Sequence, residues 1–412
     1  MTSDSKPRRT GPAGKIALIA ALCLLAAGGG VFAAVAPGFA GAGIESEAAS
    51  PVRSEPGKAA PVVPPLKLEV APENGAKQVN PAAPVTLKVG AGTIEQVTVT
   101  ATDGETVKGE FGADGNSWKS TDPLKFDATY SYSYVVKDGA GRETRATNTF
   151  STVASTHEAD AMIYPLDGMK VGVAQPLQIT FSEPVLNRDA VEAAIKITTT
   201  AGQTGAFHWY SDTMVRYRPE TFWAANSTIT MDMQLFGVDL GNGQIANFNK
   251  KHTVNIGDKV SAVADAAAHT FTLSVNDQVV RTLPVSMGDE RFPSAKGFAV
   301  LMEKRRYDHF RASSIGLKPG DPAYYGNVDV EYTIRLSLSG AYIHQALESA
   351  FPYIGNKNVS HGCIGFDPEG AAWVFERMTT GDVVEVINTE GDFAAFEDGF
   401  GDWNIPWAEY DN

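Results

Sequence analysis

One thiol and two histidines form a small set with an obvious chemical use. Cys363 closes the run Ser360-His361-Gly362-Cys363, and His344 stands nineteen positions before it. A thiol of ordinary acidity is only a few per cent thiolate at neutral pH, and thiolate is the attacking species, so a nearby imidazole changes its reactivity decisively. His344 is the better base, because it ends a predicted strand and can be oriented by a backbone carbonyl at its other ring nitrogen. His361 shapes the loop or the substrate pocket. Gly362 lets a substrate approach the backbone, and with the amide of Cys363 it forms a candidate oxyanion hole. The bland alternative for Cys363 is a buried, inert small hydrophobe. A zinc site from Cys363, His361 and His344 lacks a second thiolate and the Cys-x-x-Cys spacing.

The elements around these residues are mostly strands. From about Asp258 the pattern predicts strands at Ala267–Val275, Gln278–Val285, Gly297–Lys304 and Val328–His344. On a regular pleat Ile334, Leu336, Leu338, Gly340, Tyr342 and His344 share one face, so the histidine continues an apolar row. A helix then starts at Asp367 as cap, with Pro368 in its first turn and Glu369 near the positive end of the dipole. Ala371, Val374, Phe375 and Met378 fall on one helical face, Gly381 is the expected stop, and Val383–Ile387 resumes a strand.

Upstream, residues 66–153 carry short strand patterns at Val85–Val89, Gln96–Ala101 and Tyr130–Lys137, separated by Asp-Gly turns. Residues 154–256 repeat the style, with Leu177–Phe181, Met214–Tyr217 and Thr228–Phe236 as strands and Glu192–Ile197 as one short helix. The fold class is therefore mainly β: two Ig-like β-sandwiches (66–153 and 154–256), then a β-rich catalytic domain over 257–390 with a short helix after the catalytic loop. Residues 391–412 form a C-terminal extension expected to pack on the catalytic domain.

The N-terminus frames where this chemistry happens. Lys6, Arg8, Arg9 and Lys15 precede an apolar stretch from Ile16 to about Ala40, so residues 1–43 read as a signal or membrane anchor. About 25 apolar residues suffice to cross a bilayer, while Ala40-Gly41-Ala42 suits a signal peptidase. Residues 44–65, rich in Ala, Pro, Glu and Ser, form an extended tether. Exported proteins usually pair their cysteines, yet the chain has only Cys363 and Cys23, the latter inside the apolar run without a lipobox around it. The formal net charge of −14 over 412 residues argues against a sequence-independent nucleic-acid binder. Lys304-Arg305-Arg306 is the only basic run beyond the N-terminus, and is expected to face water.

With these residues in view, Ser339-Gly340-Ala341-Tyr342-Ile343-His344 followed by Ser360-His361-Gly362-Cys363-Ile364 resembles the L,D-transpeptidase signature. The resemblance runs from about Val260 to the C-terminus, through Tyr307-Asp308-His309, Ser313-Ser314 and Gly401-Asp402-Trp403. The tail and the two sandwiches look like the mycobacterial-type enzymes with Ig-like modules. The resemblance implies ping-pong acyl transfer on peptidoglycan tetrapeptide stems, giving 3-3 cross-links, with carbapenems as inhibitors and no metal or organic cofactor. It also implies that Cys363 is nucleophile, His344 is base, the Gln345 carbonyl orients His344, and His361, Ser360 and Gly362 complete the site. Where the family often has Asn two residues after the cysteine this chain has Gly365, and Gln345 replaces a small residue. Residues 316–330 are expected to form a lid in which Tyr324 and Tyr325 grip the stem peptide.

Other readings fit less of the chain. A sortase needs Thr-Leu-x-Thr-Cys, absent at Cys363, and a papain-like protease reverses the order of nucleophile and base. A non-catalytic wall-binding or adhesive protein would need only the sandwiches, and an L,D-carboxypeptidase shares the acyl-enzyme but passes it to water.

Overall fold

The computed structural model describes residues 64–411, so the expected anchor over 1–43, Cys23 and all but the last two residues of the expected tether lie outside the described residues. Alternating burial builds the first sandwich. A four-stranded sheet (Lys67–Ala71, Thr86–Gly90, Ser117–Ser120, Gly109–Phe111) faces a three-stranded one (Gly92–Ala101, Thr129–Asp138, Glu143–Ser151). Tyr130, Tyr132, Tyr134 and Val136 point inward from one strand onto Leu87, Trp118 and Phe150. No disulfide is needed there, because the aromatic rings supply the buried area that a small sandwich otherwise lacks.

The second sandwich pairs Lys170–Val171, Asn249–Ile256, Thr228–Gln234 and Ile195–Thr199 against Gly205–Trp209, Met214–Pro219, Leu177–Phe181 and Ala161–Tyr164. Its core gathers Ile179, Trp223, Ile229 and Met231. The helix expected at Glu192–Ile197 lies earlier, at Arg188–Ala193, and Ile195–Thr199 is a strand. Ile195, Ile197 and Thr199 are β-branched and alternate with polar residues, a period-2 pattern that outweighs the two preceding alanines.

Two sheets and one helix enclose the third core. Strands β1 (Val260–Asp265), β2 (Thr270–Val275), β3 (Gln278–Pro284), β4 (Gly297–Val300) and β9 (Val383–Ile387) form one sheet in the order β3-β2-β1-β9-β4. Strands β5 (Glu303–Arg311), β6 (Asn327–Arg335), β7 (Tyr342–Gln345) and β8 (Ile364–Phe366) form the other in chain order. Phe271, Leu273, Ile334, Ile343, Phe366 and Val374 meet between them. The single strand expected over Gly297–Lys304 is broken, because the chain changes sheets: Leu301 N–H donates to the Asp382 carbonyl in one and Met302 N–H to Arg335 in the other.

The strand expected over Val328–His344 is also two strands. β6 ends at Arg335, the chain reverses through Ser337–Ala341, and β7 runs back antiparallel with Ile334 opposite Ile343. Gly340 has φ +115°, a conformation that L side chains rarely adopt. Ser337 Oγ accepts the N–H groups of Gly340 and Ala341, and the Asp398 carboxylate accepts the N–H and hydroxyl of Ser339. The reversal puts Ile334 and Ile343 in the core and His344 on the other face, so the expected apolar row does not exist.

The helix forms as expected at Pro368–Arg377, with the Asp367 carboxylate accepting the Gly370 N–H at 2.6 Å. It ends at Met378, whose extended backbone breaks it before Gly381. Gly381 instead permits close contact with the second sandwich, since a Cβ there would lie 2.6 Å from the Gly172 nitrogen. Lys304, expected in solvent with its basic neighbours, turns its ammonium onto the carbonyls of Phe375 and Met378 at the negative end of the helix.

The tail binds both neighbours. Asn404 exchanges two hydrogen bonds with the Phe298 backbone in β4. Asp402, fully buried, pairs with Arg216 of the second sandwich at 2.9 Å and accepts the hydroxyls of Tyr210 and Tyr410. Arg218 lies over the Tyr410 ring at 4.0 Å and donates to the Ile405 carbonyl. Asp402→Ala leaves a buried guanidinium without its carboxylate and should cost about 3–5 kcal/mol; equilibrium denaturation monitored by tryptophan fluorescence measures it, and a loss under about 1 kcal/mol would show the pair to be dispensable.

Candidate active site

The site is one face of the β5-β6-β7-β8 sheet. β7 and β8 run parallel with Ile343 beside Ile364 and His344 beside Gly365. Ile343 and Ile364 point into the core, so His344, Gly365 and Cys363 share the opposite face. Continuing the register sets Cys363 abreast of Tyr342, one pleat from His344 on the adjacent strand. Diagonal neighbours of that kind lie ~7–8 Å apart at the backbone, within reach of an imidazole and a thiol. Gly365, beside His344, adds no side chain between them.

Cys363 and His344 both line a cavity of about 310 Å³ whose walls include Phe310, Val330, Leu347 and Tyr353. None of the residues lining this cavity carries a formal charge at neutral pH if both histidines are neutral. A second cavity of about 270 Å³ also reaches Cys363, and it is lined by Asp308, Arg311, Arg335 and the Gly340 turn. Cys363 thus borders both cavities. Among the described residues, no group of three or more His, Cys, Asp or Glu side chains is gathered so as to hold a metal ion.

Hydrogen bonds fix the imidazole. The Gln345 carbonyl lies 2.6 Å from His344 Nδ1. A carbonyl accepts only, so Nδ1 carries the proton and the Nε2 lone pair remains to act as base. Burial lowers the His344 pKa from its ordinary value, against the smaller upward pull of the Gln345 carbonyl. Burial also raises the Cys363 thiol to about 11, opposed by a hydrogen bond from the Tyr342 N–H. The sulfur lies 3.8 Å from the Gly340 carbonyl, positioned to accept the thiol proton. Both shifts are toward the neutral forms, a thiol beside a neutral imidazole.

The other expected residues divide by place. Ser360 Oγ donates to the Cys363 carbonyl at 2.7 Å and accepts the Gly362 N–H at 3.2 Å, tightening the turn before the nucleophile. That hydrogen bond turns the Gly362 N–H away from the oxyanion role expected of it. Gly362, with φ +105°, gives its carbonyl to the Ser294 hydroxyl. His361, expected among the catalytic groups, faces the Ala323 carbonyl with Nε2 at 3.0 Å and packs on Phe292 and Tyr325. It joins the catalytic loop to the segment 316–326. Tyr325 reaches both cavities, whereas Tyr324 packs in the segment's own small cluster with Leu317 and Ala323 and lines neither.

Several contributors were missed. Ser286 Oγ donates to the Lys357 carbonyl and accepts the Val359 N–H. Asn358 Oδ1 accepts the Met287 N–H and faces His269 Nδ1 at 3.0 Å, while its Nδ2 donates to Ala266. These side chains hold the loop from behind. The Gly340 carbonyl and Tyr342 N–H act through backbone, which leaves no residue-type signal beyond the glycine.

Residues 76–239, spanning parts of both sandwiches, match the bacterial Ig domain, and residues 259–386 match the L,D-transpeptidase catalytic domain. L,D-transpeptidase 2 of Mycobacterium tuberculosis (strain CDC 1551 / Oshkosh) is 35% identical over 344 residues, 84% of each chain. L,D-transpeptidase 5 of Mycobacterium tuberculosis (strain ATCC 25618 / H37Rv) is 28% identical over 83% of this chain and 75% of its own. A solved LD transpeptidase in complex with imipenem is 34% identical, covers 55% of this chain and 98% of its own, and has a TM-score of 0.49. Identity of 35% over 84% of both this chain and L,D-transpeptidase 2 shows that the protein belongs to the L,D-transpeptidase family.

Proposed function

We propose that this protein is an exported cysteine acyltransferase that forms 3-3 cross-links between peptidoglycan stem peptides. The supporting observation is a thiol and an imidazole on adjacent parallel strands, facing one cavity, with the imidazole held in the tautomer that accepts a proton. Because the resting pair is neutral, proton transfer accompanies attack. His344 Nε2 takes the Cys363 proton as sulfur bonds to the carbonyl after the third stem residue. The imidazolium then protonates the departing D-alanine amine. The neutral amine of a second stem attacks the thioester and gives its proton to His344, and the thiol leaves as the new amide forms.

Two cavities bordering Cys363 suit such a reaction, since the acyl-enzyme must be reached by an acceptor. Residues 1–43 serve as signal or anchor, residues 44–65 as tether, and the sandwiches as spacers that set the reach of the site into the wall. A carbapenem ring meets the same thiol and forms a stable thioester.

Intact-protein mass spectrometry of residues 60–412 with a carbapenem should show one adduct on the wild type and none on Cys363→Ala; an adduct on the variant would remove Cys363 from the chemistry. His344→Asn should slow acylation by ~10²–10⁴-fold. In the wild type the acidic limb of acylation should fall below pH 6.5, since His344 stays unprotonated there, while iodoacetamide alkylation should climb toward the thiol pKa of about 11. Rapid alkylation at pH 5 would instead reveal a preformed thiolate. Tyr325→Ala should raise the KM for stem peptide several-fold and Tyr324→Ala should leave it unchanged; the reverse order in steady-state kinetics would reassign the lid.

A further inference from the structure

The back of the catalytic loop borders another space. Lys357, Asn358 and Val359, the three residues before Ser360, line a cavity of about 730 Å³ with His269, Arg291, Glu290 and Glu390. Cys363 is not among its lining residues, so the cavity plays no direct part in acyl transfer. Its size suits a short peptide, as ligand pockets commonly run ~300–1,000 Å³.

The lining carries charges of both signs, and the unpaired ones sit on exposed residues. Arg291 is paired with Asp289. Among the described residues, Lys357, Glu290 and Glu390 take part in no ion pair. An ammonium and two carboxylates left free around one concavity complement a ligand that itself carries carboxylate and ammonium groups. A stem peptide containing a diamino acid is such a ligand, whereas a neutral glycan leaves these charges unmatched.

The cavity also touches the parts that hold the nucleophile. Asn358 both lines it and carries three hydrogen bonds that anchor the loop, one of them to His269, which lines it too. On the far side the Asp289 N–H donates to the Ser360 carbonyl. We infer that this cavity is a second, non-catalytic binding site for a mixed-charge stem peptide, whose occupancy is transmitted to the catalytic loop through Asn358. The identity of the ligand rests on the proposed function; the existence of the site does not.

The test uses a stem tripeptide ending in the diamino acid, which lacks the leaving D-alanine and so cannot acylate the thiol. Isothermal titration of the carbapenem-acylated protein should show a binding event that the charge-reversed variant loses, which separates it from binding of the peptide at the acceptor side of Cys363. In the charge-reversed variant Lys357→Glu/Glu390→Lys the dissociation constant should rise about tenfold or more, while carbapenem acylation of Cys363 without peptide proceeds at the wild-type rate and shows the fold intact. The peptide should change that rate in the wild type and not in the charge-reversed variant. Absence of binding to the acylated protein, binding unchanged by charge reversal, or binding of a chitin oligosaccharide in place of the peptide would each overturn the inference. Should Cys363 take no adduct at all, the proposed function fails separately, and titration of Cys363→Ala with and without the charge reversals still decides the cavity.

Discussion

Everything in the site depends on the chain reversing between Arg335 and Tyr342. Were β6 and β7 one continuous strand, side-chain alternation would put His344 on the same side as Ile334, inside the hydrocarbon core. The reversal requires a glycine at a φ that other residues rarely adopt and leaves a set of backbone groups without a strand partner. Ser337, Arg335 and Asp398 supply those partners: Arg335 donates to the carbonyls of Ser337 and Leu338, and Asp398 closes the other side. Gly340 and Tyr342, brought there by the same turn, then offer a carbonyl and an N–H to the sulfur.

Burial of thiol and imidazole shifts both toward their neutral forms. Desolvation disfavours charge on each partner, so neither helps the other to ionise before substrate arrives. In the proposed reaction such a site withholds its thiol from adventitious electrophiles and releases it only where a carbonyl is held within reach. The cost is dependence on orientation, which the 2.6 Å contact between His344 Nδ1 and the Gln345 carbonyl secures without a carboxylate. Since a backbone atom does this work, glutamine at 345 in place of a small residue changes nothing in the contact.

What the sequence disclosed followed from local chemistry. The capped helix at Pro368–Arg377, the lone thiol and the strand Leu177–Phe181 are fixed by neighbours a few residues away, and they lie where periodicity and capping put them. What escaped was long-range. Nothing in Val328–His344 shows that Asp398 pins its middle into a turn, and nothing in Lys304-Arg305-Arg306 marks one lysine as the cap of a helix 70 residues on. Ile195–Thr199 was misplaced for the opposite reason, since two local periodicities competed and sheet pairing chose between them. Tyr324 and Tyr325 looked equivalent because adjacent loop residues have no fixed period.

The C-terminal segment carries one more implication. Its Asp398 braces the turn beneath the sulfur, and its Asp402 and Asn404 hold the neighbouring modules together, although all three lie well beyond Cys363 in the chain. A chain cut after residue 390, though it holds His344, His361 and Cys363, therefore lacks the Asp398 brace on the turn that carries Gly340. Alignment beside the sulfur is thereby tied to the docking of a distant segment that lines neither cavity at Cys363.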